Sequence, residues 1–205
     1  MKQVEKLKAK IKKDLVIKVK DAQKFTGNRQ AFYRLIQDGH FISLGDAKLG
    51  IYTLNEVDEF AASFAALAKY YPKCVVSGKT CLTLYGLGQD FIDKIDVDIP
   101  SSTNLRNSLF SIHKVRYKAL EPIIERTFPD QGIHFKIKIY SPERALFEAL
   151  KYYGKTDAFF RVLKRYRSHF MQKDKPGNSY AEILKIHPIK GRLIVDFLSM
   201  EDVRE

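Results

Sequence analysis

The sequence predicts an α+β fold in two parts, residues 1–55 and residues 56–205. Two observations in the first part and one in the second support this prediction. Short amphipathic helices fill most of the first part, and a pair of short strands ends it. In the second part, residues 132–140 alternate apolar and polar side chains as a half-buried strand does, and a strong helix start follows directly at Ser141.

The composition is that of a globular protein, with 45% hydrophobic and 29% charged residues. No apolar run approaches the roughly 20 residues of a membrane helix, and the apolar run that begins at Leu15 ends already at Lys18. We therefore expect a cytoplasmic protein without a membrane partner. Cys74 and Cys81 have apolar neighbours and are expected to be reduced core residues. The five histidines are scattered, so we expect neither a metal nor a cofactor.

The formal net charge of +12 is concentrated near the N-terminus. Residues 1–55 hold 12 Lys and Arg against 5 Asp and Glu, whereas residues 56–205 hold 24 against 19. A basic domain of this kind binds polyanions because its lysines and arginines release counterions from phosphates. The first part is therefore expected to bind nucleic acid.

Three short helices are predicted in the first part, over residues 3–13, 19–25 and 29–38. Asn28 caps the third helix, and Gly39 ends it. Two short strands follow, over residues 41–44 and 51–54, on either side of a loop bounded by glycines. Three helices followed by a two-stranded hairpin are typical of a winged helix-turn-helix. The sequence therefore predicts a DNA-binding domain over residues 1–55.

In such domains the second helix of the pair enters the major groove with its N-terminal residues first. The polar side chains that the third helix turns away from its apolar face are Arg29, Gln30, Tyr33, Arg34 and Gln37. Arg29 and Gln30 are the best candidates for base contact, because Arg reads guanine and Gln reads adenine. Lys48, at the hairpin tip, would reach the backbone or the minor groove. Candidates for phosphate contact are Lys12, Lys13, Lys20 and Lys24.

The second part is predicted to be a mixed α+β domain. Its predicted helices cover residues 55–70, 141–153 and 157–170, with one or two more towards the C-terminus. Its predicted strands lie at residues 94–99 and 132–140, and residues 74–76 are either a strand or the start of a helix. The 141–153 helix has a capping serine, a proline at its first position and then an acid.

The residues Gly78, Asp96 and Asp98 resemble the glycine turn and D-x-D strand of polymerase-beta-like nucleotidyltransferases. Two carboxylates on one face of a strand could hold Mg²⁺ against nucleotide phosphates. Lys79 is bulky where such enzymes need a small residue, and the neighbouring strand offers lysines instead of a third carboxylate. A Mg²⁺-dependent nucleotidyltransferase with a nucleic-acid-binding N-terminal domain is therefore the alternative function.

From about residue 20 to about residue 185 the chain resembles the AbiEi antitoxins of type IV toxin–antitoxin systems, which act in abortive infection. The resemblance rests on RQAFYRLIQDG (29–39) with LG (44–45) and GIY (50–52), on VS (76–77) with LTLYGL (82–87), and on IYSPERAL (139–146). It implies a non-enzymatic antitoxin and transcriptional autorepressor that binds inverted repeats in its own promoter. It also implies that the C-terminal domain counteracts a nucleotidyltransferase-type toxin without a stable complex.

Carried over by position, the resemblance makes Arg29, Gln30, Tyr33 and Arg34 the operator-reading residues. For the antitoxin surface, the sequence suggests the basic face of the 157–170 helix, with Arg161, Lys164, Arg165 and Arg167 opposite Phe160, Leu163 and Phe170. This face could equally be only a solvated surface. A third interpretation is a protein-interaction module whose N-terminal domain no longer binds DNA.

Overall fold

The computed structural model describes residues 2–105, 107–116, 123–130, 133–171 and 176–200. Within these residues the chain has a mixed α+β fold, which confirms the predicted fold class at this level. The chain forms two compact units. The first unit comprises Met1–Lys73, Leu105–Phe110 and Arg126–Ile137, and the second comprises Cys74–Asn104, Ser111–Glu125 and Lys138–Glu205. None of the described helices is long and apolar enough to cross a membrane.

The first unit begins with three short helices and a three-stranded sheet. In chain order its elements are α1 (Lys2–Asp14), β1 (Ile17–Lys18), α2 (Val19–Thr26), α3 (Arg29–Gln37), β2 (Phe41–Ser43), β3 (Ile51–Leu54) and α4 (Glu59–Tyr70). The predicted helices and the hairpin of residues 3–54 are thus confirmed as elements. The two-residue strand β1 was not predicted. It pairs antiparallel with β3, which also pairs with β2, so the sheet order is β1-β3-β2.

One hydrophobic core joins the three helices to this sheet. Leu7 and Ile11 of α1, Phe32 of α3, Phe41 of β2 and Tyr52 of β3 are all buried in it. Phe32 is central, because its ring lies 5.6 Å from that of Phe41 and meets the ring of Tyr52 edge-on at 5.1 Å. The pattern of apolar residues that predicted the helices therefore describes the face that each helix buries.

Local side-chain and backbone chemistry sets both ends of α3. The Asn28 Oδ1 atom accepts a hydrogen bond from the amide of Ala31 at 2.8 Å. At the other end Gly39 has a φ of +75°, and its N–H donates to the carbonyl of Ile36, while the next N–H donates to that of Leu35. This pair of bonds is the Schellman motif, which favours glycine. The predicted cap and stop are confirmed.

Helix α4 begins at Glu59 and not at residue 55, because the Asp58 side chain caps it by accepting from an amide of its first turn at 2.8 Å. The helix also belongs to the first unit. Lys69 forms a 2.6 Å ion pair with Asp14, and the Tyr70 hydroxyl accepts from the Lys18 amide at 3.1 Å. The first segment of the first unit therefore extends to Lys73, whereas the sequence analysis ended the first domain at residue 55.

The remaining elements are β4 (Val75–Val76), α5 (Gly78–Leu84), β5 (Ile95–Pro100), β6 (Phe110–Val115), β7 (Ile123–Asp130), β8 (Ile133–Tyr140), α6 (Pro142–Tyr153), α7 (Asp157–Phe170), α8 (Pro176–Ile186) and α9 (Pro188–Ser199). Their strands form one sheet in the order β6-β5-β4-β8-β7, with β4 antiparallel to β5 and parallel to β8. Strands β6 and β7 were not predicted.

The other predicted elements of this part are confirmed. In β8, Ile137 and Ile139 are buried while Lys136 and Lys138 are exposed, as the alternation requires; residue 132, with which the predicted strand began, lies outside the described residues. The Ser141 side chain caps α6 by accepting from an amide of its first turn at 3.2 Å. Both cysteines are buried, which confirms that they are core residues.

Candidate nucleic-acid interface

The polar face of α3 is where the sequence placed it. Arg29, Gln30, Arg34 and Gln37 are exposed on this helix, and Tyr33 is half-buried beside them. The structure therefore brings all five predicted groove residues together on one helix of the first unit. We call these five residues the α3 polar face.

A chain of polar contacts starts at Arg29 on this face. Its Nη2 and Nε atoms donate to the Tyr33 hydroxyl at 2.9 and 3.2 Å, and its guanidinium carbon lies 5.2 Å from the centroid of the Tyr33 ring. Tyr52 of β3 comes next. Burial, the neighbouring Tyr33 phenol and a hydrogen bond with it raise the pKa of Tyr52. The sequence offered Arg29 and Tyr33 as separate candidates and did not indicate Tyr52.

The predicted phosphate contacts are all exposed lysines, but two of them form ion pairs. Lys12 lies 3.0 Å from Glu56, and Lys24 lies 3.0 Å from Asp21. Exposed pairs of this kind contribute little to stability, so their lysines remain available to a stronger anion. Lys13, Lys20 and Lys48 are exposed too, with Lys48 in a short 3₁₀ turn (Ala47–Leu49) of the hairpin loop.

The hairpin loop is anchored by a later segment of the same unit. The Asp46 amide donates to the Ser108 hydroxyl at 3.0 Å. Gly45 has a φ of +69°, and a Cβ atom there would lie 2.7 Å from a methyl carbon of Leu109. The loop that carries Lys48 is therefore held at its first residues by Ser108 and Leu109. No local signal could have indicated this contact, because more than 60 residues separate the two segments in the chain.

The alternative nucleotide site has a different geometry from the one that the sequence suggested. Asp98 is only 3% exposed, and its carboxylate accepts from the Ser77 hydroxyl at 2.7 Å and from the Tyr140 hydroxyl at 2.5 Å. Burial, followed by this hydrogen bond, raises the pKa of Tyr140. The Asp98 carboxylate is thus engaged inside the second unit and does not face an open site.

Asp96 and Gly78 lie next to each other, with the Asp96 carboxylate against the glycine turn. The Asp96 Oδ2 atom accepts from the amides of Lys79 and Thr80 at 3.0 and 3.3 Å. A Cβ atom on Gly78 would lie 2.8 Å from the same oxygen and 2.9 Å from the hydroxyl of Tyr152. The chain's own carboxylate therefore occupies the space in front of the glycine turn. The carboxylates of Asp96 and Asp98 thus both have partners within the chain, which the spacing of the two residues did not indicate.

A further buried carboxyl group, which the sequence analysis missed, comes from helix α6. Glu148 is 4% exposed, with Arg144 Nη2 at 3.5 Å and Lys151 Nζ at 3.9 Å. Burial raises its pKa, and the positive charges of Lys151 and Arg144 act against that rise. Its i, i+4 spacing from Arg144 was visible in the sequence, but its burial depends on tertiary packing that no local pattern indicates.

The basic face of α7 divides into two pairs. Arg161 and Lys164 are exposed. Arg165 and Arg167 are half-buried, and each donates from Nη1 to a backbone carbonyl, at 3.1 and 3.2 Å respectively. The buried side of the helix is formed by Phe159, Val162, Leu163 and Tyr166. Arg161 and Lys164 are therefore the exposed pair of the four basic residues, and of the three apolar residues predicted opposite them only Leu163 is fully buried.

No family model matches this sequence, and no curated protein matches it either. A solved structure does match, the crystal structure of the RV2827C protein from Mycobacterium tuberculosis. The match has a TM-score of 0.62 at 12% sequence identity and covers 99% of this chain and 79% of that chain. At this identity the similarity concerns the fold alone.

Proposed function

We propose that this chain is a double-stranded-DNA-binding protein, and that its first unit is a winged helix-turn-helix with α3 as the recognition helix. The observation that carries the proposal is the α3 polar face, which starts directly after a capped helix N-terminus and has an arginine and a glutamine in its first turn. The element order of helix, strand, two helices and hairpin, with the sheet order β1-β3-β2, supports it.

In this proposal each group of residues has its own task. Arg29 and Gln30 contact base edges in the major groove, and Arg34 contacts a base or a phosphate. The exposed lysines bind phosphates without reading sequence. The anchored hairpin loop carries Lys48 to the DNA backbone or the neighbouring minor groove. The concentration of positive charge in residues 1–55 supports this assignment.

The resemblance to AbiEi antitoxins extends the proposal. The chain would then act in the cytoplasm as an autorepressor that binds inverted repeats in its own promoter. It would also counteract a nucleotidyltransferase-type toxin without forming a stable complex with it. Arg161 and Lys164 are the candidates for the antitoxin surface, because they are the exposed pair of the α7 basic face.

The experiment is a titration of the purified chain against a labelled duplex from its own upstream promoter, at low and moderate salt and with unlabelled competitor DNA. We expect saturable, salt-sensitive binding that competitor DNA does not remove. Arg29→Ala with Arg34→Ala should weaken it by about 1–3 kcal/mol for each base-reading side chain that the variant removes. The matched control is Arg161→Ala with Arg192→Ala, which removes the same charge from exposed positions of the second unit.

Two results would contradict DNA recognition: binding that competitor DNA abolishes, or an equal loss of affinity in the control variant. The antitoxin role has its own test, in which the chain is co-expressed with a nucleotidyltransferase encoded beside it and growth is measured. We expect growth to be restored, and Arg161→Glu with Lys164→Glu to abolish this rescue while leaving promoter binding intact. Unchanged rescue by that variant would remove the α7 surface from the proposal.

A further inference from the structure

We infer that Tyr33 and Tyr52 are positioning residues that hold Arg29 in the orientation in which it reads a base, so that the hairpin sheet sets the specificity of α3. This inference rests on the proposed DNA-binding function. It adds to that function a residue, Tyr52, that lies on β3 and not on the recognition helix.

An exposed arginine normally samples many rotamers and loses that freedom when it binds. Arg29 is already held in the free protein. Two of its N–H groups, on Nε and Nη2, donate to the Tyr33 hydroxyl at 3.2 and 2.9 Å, and its guanidinium lies over the Tyr33 ring. The tyrosine is four residues further along the same helix, so one helical turn brings the two side chains together.

Tyr33 is in turn connected to the rigid part of the unit. It packs against the core cluster that contains Phe32 and Tyr52, and its phenol is close enough to that of Tyr52 to raise the pKa of Tyr52. Tyr52 itself is 3% exposed, and its ring meets the Phe32 ring edge-on at 5.1 Å. Since Tyr52 has little room to move, it restricts the position of the Tyr33 ring. Tyr33 in turn fixes the orientation of the exposed Arg29 guanidinium.

The donors that remain on Arg29 suit the reading of guanine. A guanidinium has five N–H groups, and the Tyr33 hydroxyl takes the one on Nε and one of the two on Nη2. The edge formed by Nη1 and the second Nη2 hydrogen stays open and faces away from the tyrosine. Two parallel donors on one edge are what bidentate contact with guanine O6 and N7 requires. Tyr33 thus occupies one edge of Arg29 and leaves the other to the base.

The test uses a duplex selected from a random library by the full chain, and a second duplex in which the guanine that Arg29 contacts is replaced. The ratio of the two affinities is measured for the wild type, Tyr33→Phe, Tyr52→Phe and Arg29→Ala. We expect each tyrosine variant to lower the ratio about two- to tenfold, the effect of immobilising one long side chain. The salt dependence should stay at the wild-type value in both tyrosine variants, because no charge is removed, and the thermal midpoint should stay there in Tyr33→Phe, whose hydroxyl is on the surface side of the core.

The double variant Arg29→Ala/Tyr33→Phe separates positioning from a structural effect. We expect it to show the same ratio as Arg29→Ala alone, since Tyr33 acts through the arginine. Tyr180→Phe, in the second unit, is the matched control and should leave the ratio unchanged.

Several outcomes would overturn this inference while leaving DNA binding in place. They are a full wild-type ratio in both tyrosine variants, a further fall of the ratio in the double variant, and a base preference that survives Arg29→Ala. If Tyr52→Phe alone fails to fold, Tyr33→Phe still decides the matter. A wild-type chain that shows no preference for any duplex would overturn the proposed function and this inference together.

Discussion

Gly191 of α9 allows a sharp test of the packing in the second unit. It is buried in the first turn of the helix, and a Cβ atom there would lie 2.8 Å from the carbonyl oxygen of Ile183 and 3.2 Å from the Cα of Leu184. Both are backbone atoms of α8, so they cannot move aside as the end of a side chain could. Gly191→Ala gains about 1 kcal/mol of helix propensity, but forcing the two helices apart costs about 1–3 kcal/mol. We expect a net loss of stability of up to about 2 kcal/mol.

Gly177 of α8 is the matched control, because it is exposed and has no atom within 4 Å of an added Cβ. Gly177→Ala should therefore only gain helix propensity and stabilise the chain by up to about 1 kcal/mol. Urea unfolding of both full-length variants, followed by circular dichroism, should move the midpoint in opposite directions. A thermal scan should shift by about 2–4 °C for each kcal/mol. An increase in stability for Gly191→Ala would refute the reasoning about α8 and α9.

Three further outcomes are expected. Thr53→Val should lower the free energy of unfolding, measured by urea titration, by about 1–3 kcal/mol, because it removes the 2.7 Å hydrogen bond to the buried carbonyl of Leu15. Thr53→Ser keeps the hydroxyl and should have a smaller effect. Burial raises the pKa of Glu148, so this residue favours folding at low pH, and its contribution to stability disappears as the pH rises from the ordinary carboxyl pKa through the raised one. Over this pH range the urea midpoint of Glu148→Gln should therefore fall less than that of the wild type. Equal changes of the two midpoints with pH would contradict the raised pKa of Glu148. If the proposed function holds, Lys13→Gln and Lys20→Gln should each reduce the slope of log affinity against log salt by about 0.9, and a slope that stays unchanged would remove that lysine from the interface.

Features fixed by neighbouring residues could be predicted from the sequence. Asn28 and Gly39 set the ends of α3 through hydrogen bonds within five residues, and Ser141 does the same for the start of α6. The polar face of α3 follows from helical spacing alone. These predictions needed no knowledge of what the elements pack against.

Features that depend on distant parts of the chain could not be predicted in this way. Strand β1 has two residues, too few for a periodic pattern, and it exists because β3 offers it a partner. The spacing of Asp96 and Asp98 indicated only that they share one face of a strand, and their partners come from α5, its preceding residue and the end of β8. The carbonyl groups that accept hydrogen bonds from Arg165 and Arg167 likewise belong to residues distant in the chain, so the spacing on α7 did not indicate them.

The discontinuity of the first unit has a consequence for its folding on the ribosome. Residues 1–73 emerge first, but the unit is complete only when Arg126–Ile137 has also been made, 64 residues after Lys73. At about 5–20 residues per second this delay lasts roughly 3–13 s. For much of that time the hairpin loop lacks Ser108 and Leu109, and the nascent unit exposes the surface that these residues later cover. A gene fragment that ends at residue 73 would therefore encode a permanently unfinished unit.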